Sequence, residues 1–286
     1  MSHQVTTFKQ NLLIKANGKK LDFRTPKIMG VINLTPDSFY SSSRIKNHAH
    51  FLLQAEKMLD AGVHIIDIGA VSTRPGAKDI SETEELSRLI PALRLLRSTF
   101  PEVIISVDTY RSYVALAAAE CGADMINDVY ANNFDGSMFR TVAKLKLPYI
   151  LMHMKGTPAT MQQKPNYNNA VREVMSFFRK KIKEAQTAGI RQIIIDPGFG
   201  FGKTLEHNYQ LLKCFSRFNR FSFPVLAGLS RKSMVTRLLE IGADEALTGT
   251  VVLNTIALLN GASLLRVHDV LEASHAIRLV EFYKSA

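Results

Sequence analysis

The sequence predicts an α/β fold, a single-domain (β/α)8 TIM barrel with a short N-terminal extension. Three observations carry this reading. The length of 286 residues suits one such barrel, which runs about 250 residues. Short β-branched or apolar runs alternate with amphipathic segments along the chain, the rhythm of strand, crossover helix and strand. There are eight such runs, and no dinucleotide-binding glycine fingerprint follows the first, which favours a closed barrel over an open doubly wound sheet.

Residues 1–26 form the extension, expected as a hairpin that closes the bottom of the barrel, and 27–286 form the barrel itself. The strand runs are 27–33 (KIMGVIN), 64–68 (HIIDI), 103–108 (VIISVD), 125–128 (MIND), 149–153 (YILMH), 192–196 (QIIID), 225–229 (VLAGL) and 264–267 (LLRV). They are nearly continuous in apolar character, as parallel strands buried on both faces must be. Helix-like segments between them include 50–61, 82–98, 113–120, about 138–146, 170–188 and 244–259. No low-complexity stretch or Pro/Ser/Gly-rich linker divides the chain.

A hydrophobic share of 46% with 21% charged residues is ordinary for a well-cored globular protein. No stretch approaches the roughly 18 consecutive apolar residues of a membrane span, and the N-terminal segment lacks the apolar core of a secretory leader. Cys121 and Cys214 lie far apart in helix-like segments, without metal or redox spacing. Neither a disulfide framework nor a zinc site is expected, and a reducing, cytoplasmic setting fits. The 36 Lys+Arg against 25 Asp+Glu give a net charge of +11, which suits nucleic acid, an anionic surface or an anionic small substrate. The basic residues are scattered, and the densest run, Arg179, Lys180, Lys181 and Lys183, reads as a solvated helix face. With no nucleic-acid-binding motif present, neither nucleic acid nor membrane is expected as a partner.

The informative residues are polar and sit at strand ends. Asn33, Asp67, Asp108, Asn127, His153, Asp196, Lys232, Arg266 and His268 lie at or just beyond the C-terminal ends of the runs. In a barrel those positions converge on one mouth, where active sites are built. A carboxylate closing an apolar run such as IISVD or QIIID is costly unless it is paired or bound to a ligand. Taken singly, a strand-end acid can cap the helix that follows, and Asp67, which sits deeper than the others, is assigned that plain role. Taken together with lysine, arginine and histidine, the set marks a site. Asp108, Asn127 and Asp196 suit a ring edge rich in N–H groups, whereas Lys232, Arg266 and His268 suit phosphate oxygens or ring carbonyls. The expected ligand is a nitrogen heterocycle bearing an anionic leaving group.

Local strings then become specific. MGVINLTPDSF (29–39), IDIGAVSTRPGA (66–77), SVDTYRSYV (106–114), INDV (126–129), LMHMKGTPATMQ (151–162), DPGFGFGKT (196–204), AGLSRKSM (227–234) and RVHDV (266–270) occur in order and at barrel spacing. Across them the chain resembles the dihydropteroate synthases. The resemblance implies condensation of 6-hydroxymethyl-7,8-dihydropterin pyrophosphate with p-aminobenzoate by an SN1-like route, with Mg2+ as cofactor and a homodimeric state. It assigns pterin binding to Asp108, Asn127, Met152, Asp196, Phe201 and Lys232. It assigns the pyrophosphate to Asn33, Arg74, Arg266 and His268, with Asn33 also on the metal, and p-aminobenzoate to Thr73, Pro75, Phe201 and Ser233. Asp108, Lys232, Arg266 and Asp37 are the implied catalytic residues.

Two loops depart from the family pattern. The first is usually TPDSFSDGG and is here TPDSFYSSSR, with Ser41 where the second aspartate stands. The second is usually GGESTRPG and is here GAVSTRPG, with Ala70 and Val71 in place of glycine and glutamate. A pterin-binding barrel with impaired condensation therefore stays open as an alternative, as does a methyltetrahydrofolate methyltransferase, against which SRKS (230–233) and RVH (266–268) argue. If the intermediate is cationic and Asp37 replaces the missing carboxylate, Asp37→Asn lowers kcat about tenfold to a hundredfold, roughly 1.4–2.7 kcal/mol of transition-state stabilisation. Steady-state kinetics decide the point, because a silent Asp37→Asn beside a faster Ser41→Asp would mean that the loop works with a weaker field.

Overall fold

In the computed structural model the described residues are 12–34, 44–72, 80–157, 160–161 and 165–286, without the side chains of 44–47. Every expected apolar run contains a strand. An antiparallel hairpin of β1 (Leu13–Ala16) and β2 (Lys19–Asp22) precedes β3 (Lys27–Asn33), β4 (Ile65–Gly69), β5 (Ile104–Asp108), β6 (Met125–Asp128), β7 (Tyr149–Met152), β8 (Ile193–Asp196), β9 (Leu226–Ala227) and β10 (Leu264–Val267). The last eight form one sheet in the order β8-β7-β6-β5-β4-β3-β10-β9. A parallel bridge between Ile195 and Val225 joins its two outer strands, so the chain folds as a (β/α)8 barrel.

Parallel neighbours require crossovers, and helices supply them. These are α1 (Arg44–Asp60), α2 (Glu82–Thr99), α3 (Ser112–Glu120), α4 (Met138–Leu145), α5 (Ala170–Thr187), α6 (Leu205–Lys213), α7 (Ser233–Leu239), α8 (Leu247–Leu259) and α9 (Val270–Ser285). Ser81 starts α2 by accepting from the Glu84 amide at 3.1 Å, and Thr204 starts α6 with a reciprocal capping box, the roles that short hydroxyl side chains serve at helix N-termini. Several limits differ from the sequence reading. The run 225–229 contributes Leu226–Ala227 as a strand and Val225 as a bridge to Ile195, and the turn of the SRKS segment begins at Ser230. The helix expected over 244–259 starts at Leu247, since turns occupy the residues before it. Cys121 and Cys214 are not inside helices but cap the C-termini of α3 and α6, and both are free thiols. In the basic run, Lys180 is solvated, whereas Lys181 is largely covered and donates to Asn133 Oδ1 at 2.7 Å.

Strand alternation sorts the barrel into two cores. Outward residues such as Ile28, Ile66, Ile105, Ile126, Leu151 and Ile195 pack with Leu89, Leu93, Phe178 and Val280 from the helices. Inside, at the N-terminal end, each strand contributes one apolar residue to a single layer: Met29, Ile65, Ile104, Met125, Ile150, Ile194, Leu226 and Leu264. Ile14, Ala16, Leu21 and Phe23 of the hairpin segment pack against that layer. Asn17 Nδ2 ties the hairpin tip to Asp124 Oδ1 at 3.0 Å and to the Ala123 carbonyl at 3.1 Å. Among the described residues no helix is long and apolar enough to cross a membrane.

Phe23 is 3% exposed, so its ring is part of the packing and not a surface ornament. Phe23→Ala is expected to cost about 3–5 kcal/mol of unfolding free energy, as for other buried aromatics, measured by urea denaturation. A loss below roughly 1 kcal/mol, the size of a surface substitution, would show that the barrel bottom does not depend on this contact.

Candidate active site

The residue two places beyond each member of the bottom layer points into the same barrel, one step nearer the C-terminal mouth. That rule lines up Val31, Asp67, Ser106, Asn127, Met152, Asp196, Gly228 and Arg266. Asn33, Gly69, Asp108 and His268 follow one step higher. Register makes neighbours of Asp67 and Ser106, of Asp108 and Asn127, and of Met152 and Asp196. The polar layer therefore follows from strand phase alone.

Its centre is Arg266. The guanidinium donates through Nε to Asp67 Oδ2 at 2.7 Å and through Nη2 to Asp108 Oδ2 at 2.7 Å, while Asn127 Nδ2 donates to Asp67 Oδ2 at 3.1 Å. Asp67 is fully buried, and the cap role assigned to it from sequence is wrong. Its side chain points inward, in phase with Ile65, and so meets Arg266 and Asn127 from across the barrel. Asp128, in the opposite phase, performs the local role instead: it accepts from the Tyr130 and Asn132 amides at 2.8 Å each and from the Tyr149 hydroxyl. Among the described residues Asp67 Oδ1 and Ser106 Oγ are buried without a hydrogen-bond partner, an arrangement that is costly in an apolar wall.

The electrostatics follow from burial. Burial pushes the Asp108 carboxyl up to about 7, with Arg266 pulling the other way. It also raises Asp196, opposed by Lys232, and lowers the Lys232 ammonium to about 8, opposed by Asp196. Burial disfavours the Arg266 charge too, but Asp67 and Asp108 more than offset it, so its pKa is raised. The walls thus favour neutral acids, and only cationic neighbours or a donor-rich ligand hold them ionised.

The loop after β8 forms one side of the mouth. Asp196 Oδ1 accepts from the Gly198 amide at 2.8 Å. Gly198 has φ +68°, and a Cβ there would lie 2.0 Å from the His153 carbonyl oxygen, so no side chain fits. Lys232 Nζ donates to the Phe199 carbonyl and stands 4.9 Å from the Phe201 ring centre. Phe201, Met154 and Val71 are partly buried against Met152, Tyr110 and Val129, which makes an apolar shelf beside the acids. On the other side, Ser230 Oγ lies 3.0 Å from His268 Nδ1, and Arg231 pairs with Asp269 at 3.0 and 2.8 Å. These two contacts clip the SRKS turn to the RVHD turn. Arg231 holds φ +53°, a strained value for a side-chain-bearing residue that surrounding bonds must sustain. Ser233 opens α7 directly after Lys232, and Asn33 ends β3 with its side chain exposed.

The structure thus gathers Asp108, Asn127, Met152, Asp196, Phe201, Lys232 and Arg266 around one mouth, with Asn33, His268 and Ser233 at its rim. Asp37, Thr73, Arg74 and Pro75, with Ser41, lie outside the described residues. Sequence reasoning missed Lys203, which is 2% exposed and whose Nζ sits 2.9 Å from His153 Nδ1. A lysine directly after a glycine-rich string that follows a buried strand was the available signal.

A buried acid, amide and guanidinium layer in a (β/α)8 barrel defines a barrel enzyme built to hold a polar heterocycle. Comparison narrows this class: the family described as pterin binding enzyme matches residues 29–268. A Haemophilus influenzae protein named dihydropteroate synthase is 45% identical over 92% of this chain and 96% of its own length. A Yersinia pestis dihydropteroate synthase, solved with a sulfonamide drug complex, superimposes with TM-score 0.90 at 42% identity over 96% of this chain and 100% of that one. The Xanthomonas albilineans dihydropteroate synthase is similar at 36% identity and TM-score 0.89 in its structure with 4-aminobenzoic acid, covering 96% of this chain and 99% of that one. It is also similar at 34% identity and TM-score 0.85, with the same coverage, in complex with 7,8-dihydropteroate. The chain belongs to the dihydropteroate synthase family, transferases of folate synthesis.

Because its pKa rises from 3.8 in the unfolded chain to about 7 when folded, Asp108 contributes stability that is full below about pH 4 and is lost as the pH climbs toward 7. Asp108→Asn cannot ionise. Between pH 5 and 7 the variant is expected to gain on the wild type by about 1 kcal/mol or more in unfolding free energy, whatever constant offset the lost Arg266 contact adds. A variant-minus-wild-type difference that is flat over this range would rule the shift out.

Proposed function

We propose that the chain condenses 6-hydroxymethyl-7,8-dihydropterin pyrophosphate with p-aminobenzoate, giving 7,8-dihydropteroate and pyrophosphate by an SN1-like route. The observation that carries the proposal is the inward layer in which Asp67, Asp108, Asn127 and Asp196 share the barrel interior with Arg266 and Lys232. The ligands of the Xanthomonas albilineans relative, 4-aminobenzoic acid and 7,8-dihydropteroate, support the choice of acceptor and product.

On this reading the acids and Asn127 take the N–H-rich edge of the pterin through charge-assisted hydrogen bonds, and Met152 and Phe201 cover its faces. Lys232 donates to the ring. A pterin edge on Asp108 competes with Arg266 Nη2 for that carboxylate, and the released N–H donates to pyrophosphate oxygens beside His268 while Nε stays on Asp67. The bond from the methylene carbon to oxygen then breaks, and its electron pair leaves with the pyrophosphate, whose charge Arg266 and His268 stabilise. Asp108 and Asp196 oppose the positive charge left on the pterin. The arylamine nitrogen forms the new C–N bond and releases one proton to the departing pyrophosphate or solvent. Burial of the layer keeps water from the cation.

Mg2+ belongs to the proposal as well. Magnesium sites use few protein oxygens and complete themselves with water and substrate phosphate, and the exposed Asn33 amide oxygen suits that sparse donor set. When bound, the ion would neutralise charge on the leaving group. A second copy of the chain is the proposed cover for Val252, Leu259, Leu279, Phe282 and Tyr283, apolar residues exposed on α8 and α9. The free thiols at Cys121 and Cys214 fit a cytoplasmic setting.

The test is pyrophosphate release from the pterin pyrophosphate, with and without p-aminobenzoate. Stable 7,8-dihydropteroate forms only with the arylamine, and Asp196→Asn weakens pterin binding in calorimetry by roughly 1.5–3 kcal/mol, one charge-assisted hydrogen bond. Pterin binding without C–N bond formation would mark a non-condensing barrel, and methyl transfer in its place would mark a methyltransferase.

A further inference from the structure

Lys203 is the most enclosed ammonium among the residues around the mouth, and the condensation as proposed does not use it. Its Nζ donates to the Gly198 carbonyl at 2.7 Å, to the Phe201 carbonyl at 2.9 Å and, more weakly, to the His153 carbonyl at 3.3 Å, with His153 Nδ1 at 2.9 Å. None of these partners is a carboxylate. The two close carbonyls and the imidazole nitrogen take the three N–H groups of an ammonium, with the more distant His153 carbonyl sharing one of them, so the cation suits the site even though burial lowers its pKa well below the ordinary lysine value. Burial also drives the His153 pKa well down. The ring is therefore neutral, and its Nδ1 faces the ammonium as an acceptor.

The cost of burying this charge is met by gathering one loop. Lys203 holds the carbonyls of residues 198 and 201, Lys232 holds that of Phe199, and the Tyr167 hydroxyl donates to the Gly202 carbonyl at 2.8 Å. Asn208 Oδ1 takes the Gly200 amide at 2.7 Å. The side chain presented by this clamped segment is Phe201, which packs on the Met152, Tyr110 and Val129 shelf. Lys203 is thus one residue pair removed from the ligand surface, attached to it through the backbone of the residue that forms it.

We propose that Lys203 is a positioning residue for the condensation: by drawing the Gly198, Phe201 and His153 carbonyls to one point, it sets the Phe201 ring against the pterin and the arylamine. This rests on the function proposed above. Lys203 itself is 2% exposed, and the competing view is that it only stabilises the barrel.

A double-mutant cycle with Phe201→Ala separates the two, reading kcat and the KM for p-aminobenzoate in the full-length chain. Lys203→Met keeps the length of the stem and removes the donors. Alone it is expected to lower kcat/KM about tenfold to a hundredfold, the cost of a misplaced group, while Mg2+–pyrophosphate still binds within about twofold. In the Phe201→Ala background the same change is expected to cost less than about twofold, because residues that act through one another are not additive. Equal losses in both backgrounds overturn the inference. If Lys203→Met does not fold, Lys203→Gln, which keeps two N–H donors, is carried through the same cycle with the same criterion. Absence of condensation by the wild type would sink the functional reading instead. The ring is then followed by fluorine NMR in chain labelled with 4-fluorophenylalanine, the signal being assigned by its loss in Phe201→Leu. A Phe201 resonance that Lys203→Met or Lys203→Gln leaves unmoved refutes the positioning role whatever the activity, and one that shifts or splits upholds it only together with the non-additive cycle.

Discussion

Arg266 donates to Asp67 and Asp108 inside an apolar barrel, and the chemistry of the mouth depends on that one bridge. Desolvation of charges costs several kcal/mol per ion, and mutual attraction repays it only when geometry is good and the remaining polar atoms are satisfied. Here satisfaction is incomplete. Asp67 Oδ1 and Ser106 Oγ have no partner among the described residues, and Asp108 is pushed toward neutrality. A site with spare acceptors and a raised carboxyl is less stable by itself than an apolar core would be. It is suited to a ligand that brings its own N–H donors, which is what a pterin-binding enzyme requires.

The scaffold tolerates this layer because the packing beneath it is apolar. Eight apolar residues fill the barrel at its N-terminal end, and the hairpin packs Ile14, Leu21 and Phe23 against them. Strand phase then separates the stabilising layer from the reactive one by a single pleat. The same phase sends Asp128 outward to bind backbone amides and the Tyr149 hydroxyl, so Asn127 and Asp128, adjacent in the chain, have unrelated duties. In the outer core, outward apolar residues meet the helices.

Around the rim, backbone contacts take over from strand geometry. Gly198 lets the loop after β8 pass against the His153 carbonyl, and lysines 203 and 232 then take the loop's carbonyls from two directions. Arg231, strained at φ +53° and clamped to Asp269, performs the equivalent service between the SRKS and RVHD turns. Val71 packs at the apolar shelf with Phe201 and Met154.

What the sequence determined by itself was the set of features with local causes. Apolar runs of four to seven residues separated by amphipathic segments specified eight parallel strands, and strands β3, β6 and β10 have the limits read from their composition. The strand-end residues Asp108, Asn127, Asp196, Lys232 and Arg266 could be picked out because a polar group at the end of a buried strand is expensive without a purpose. Only tertiary structure decided which of these groups face one another. Asp67 looked like a cap because sequence shows its neighbours along the chain, whereas its partner Arg266 is 199 residues away. Lys203 looked like part of a loop because its partners are carbonyl oxygens, which every residue carries and no sequence distinguishes. Pairing across a barrel depends on strand register and closure, and these are set by the whole ring of strands at once.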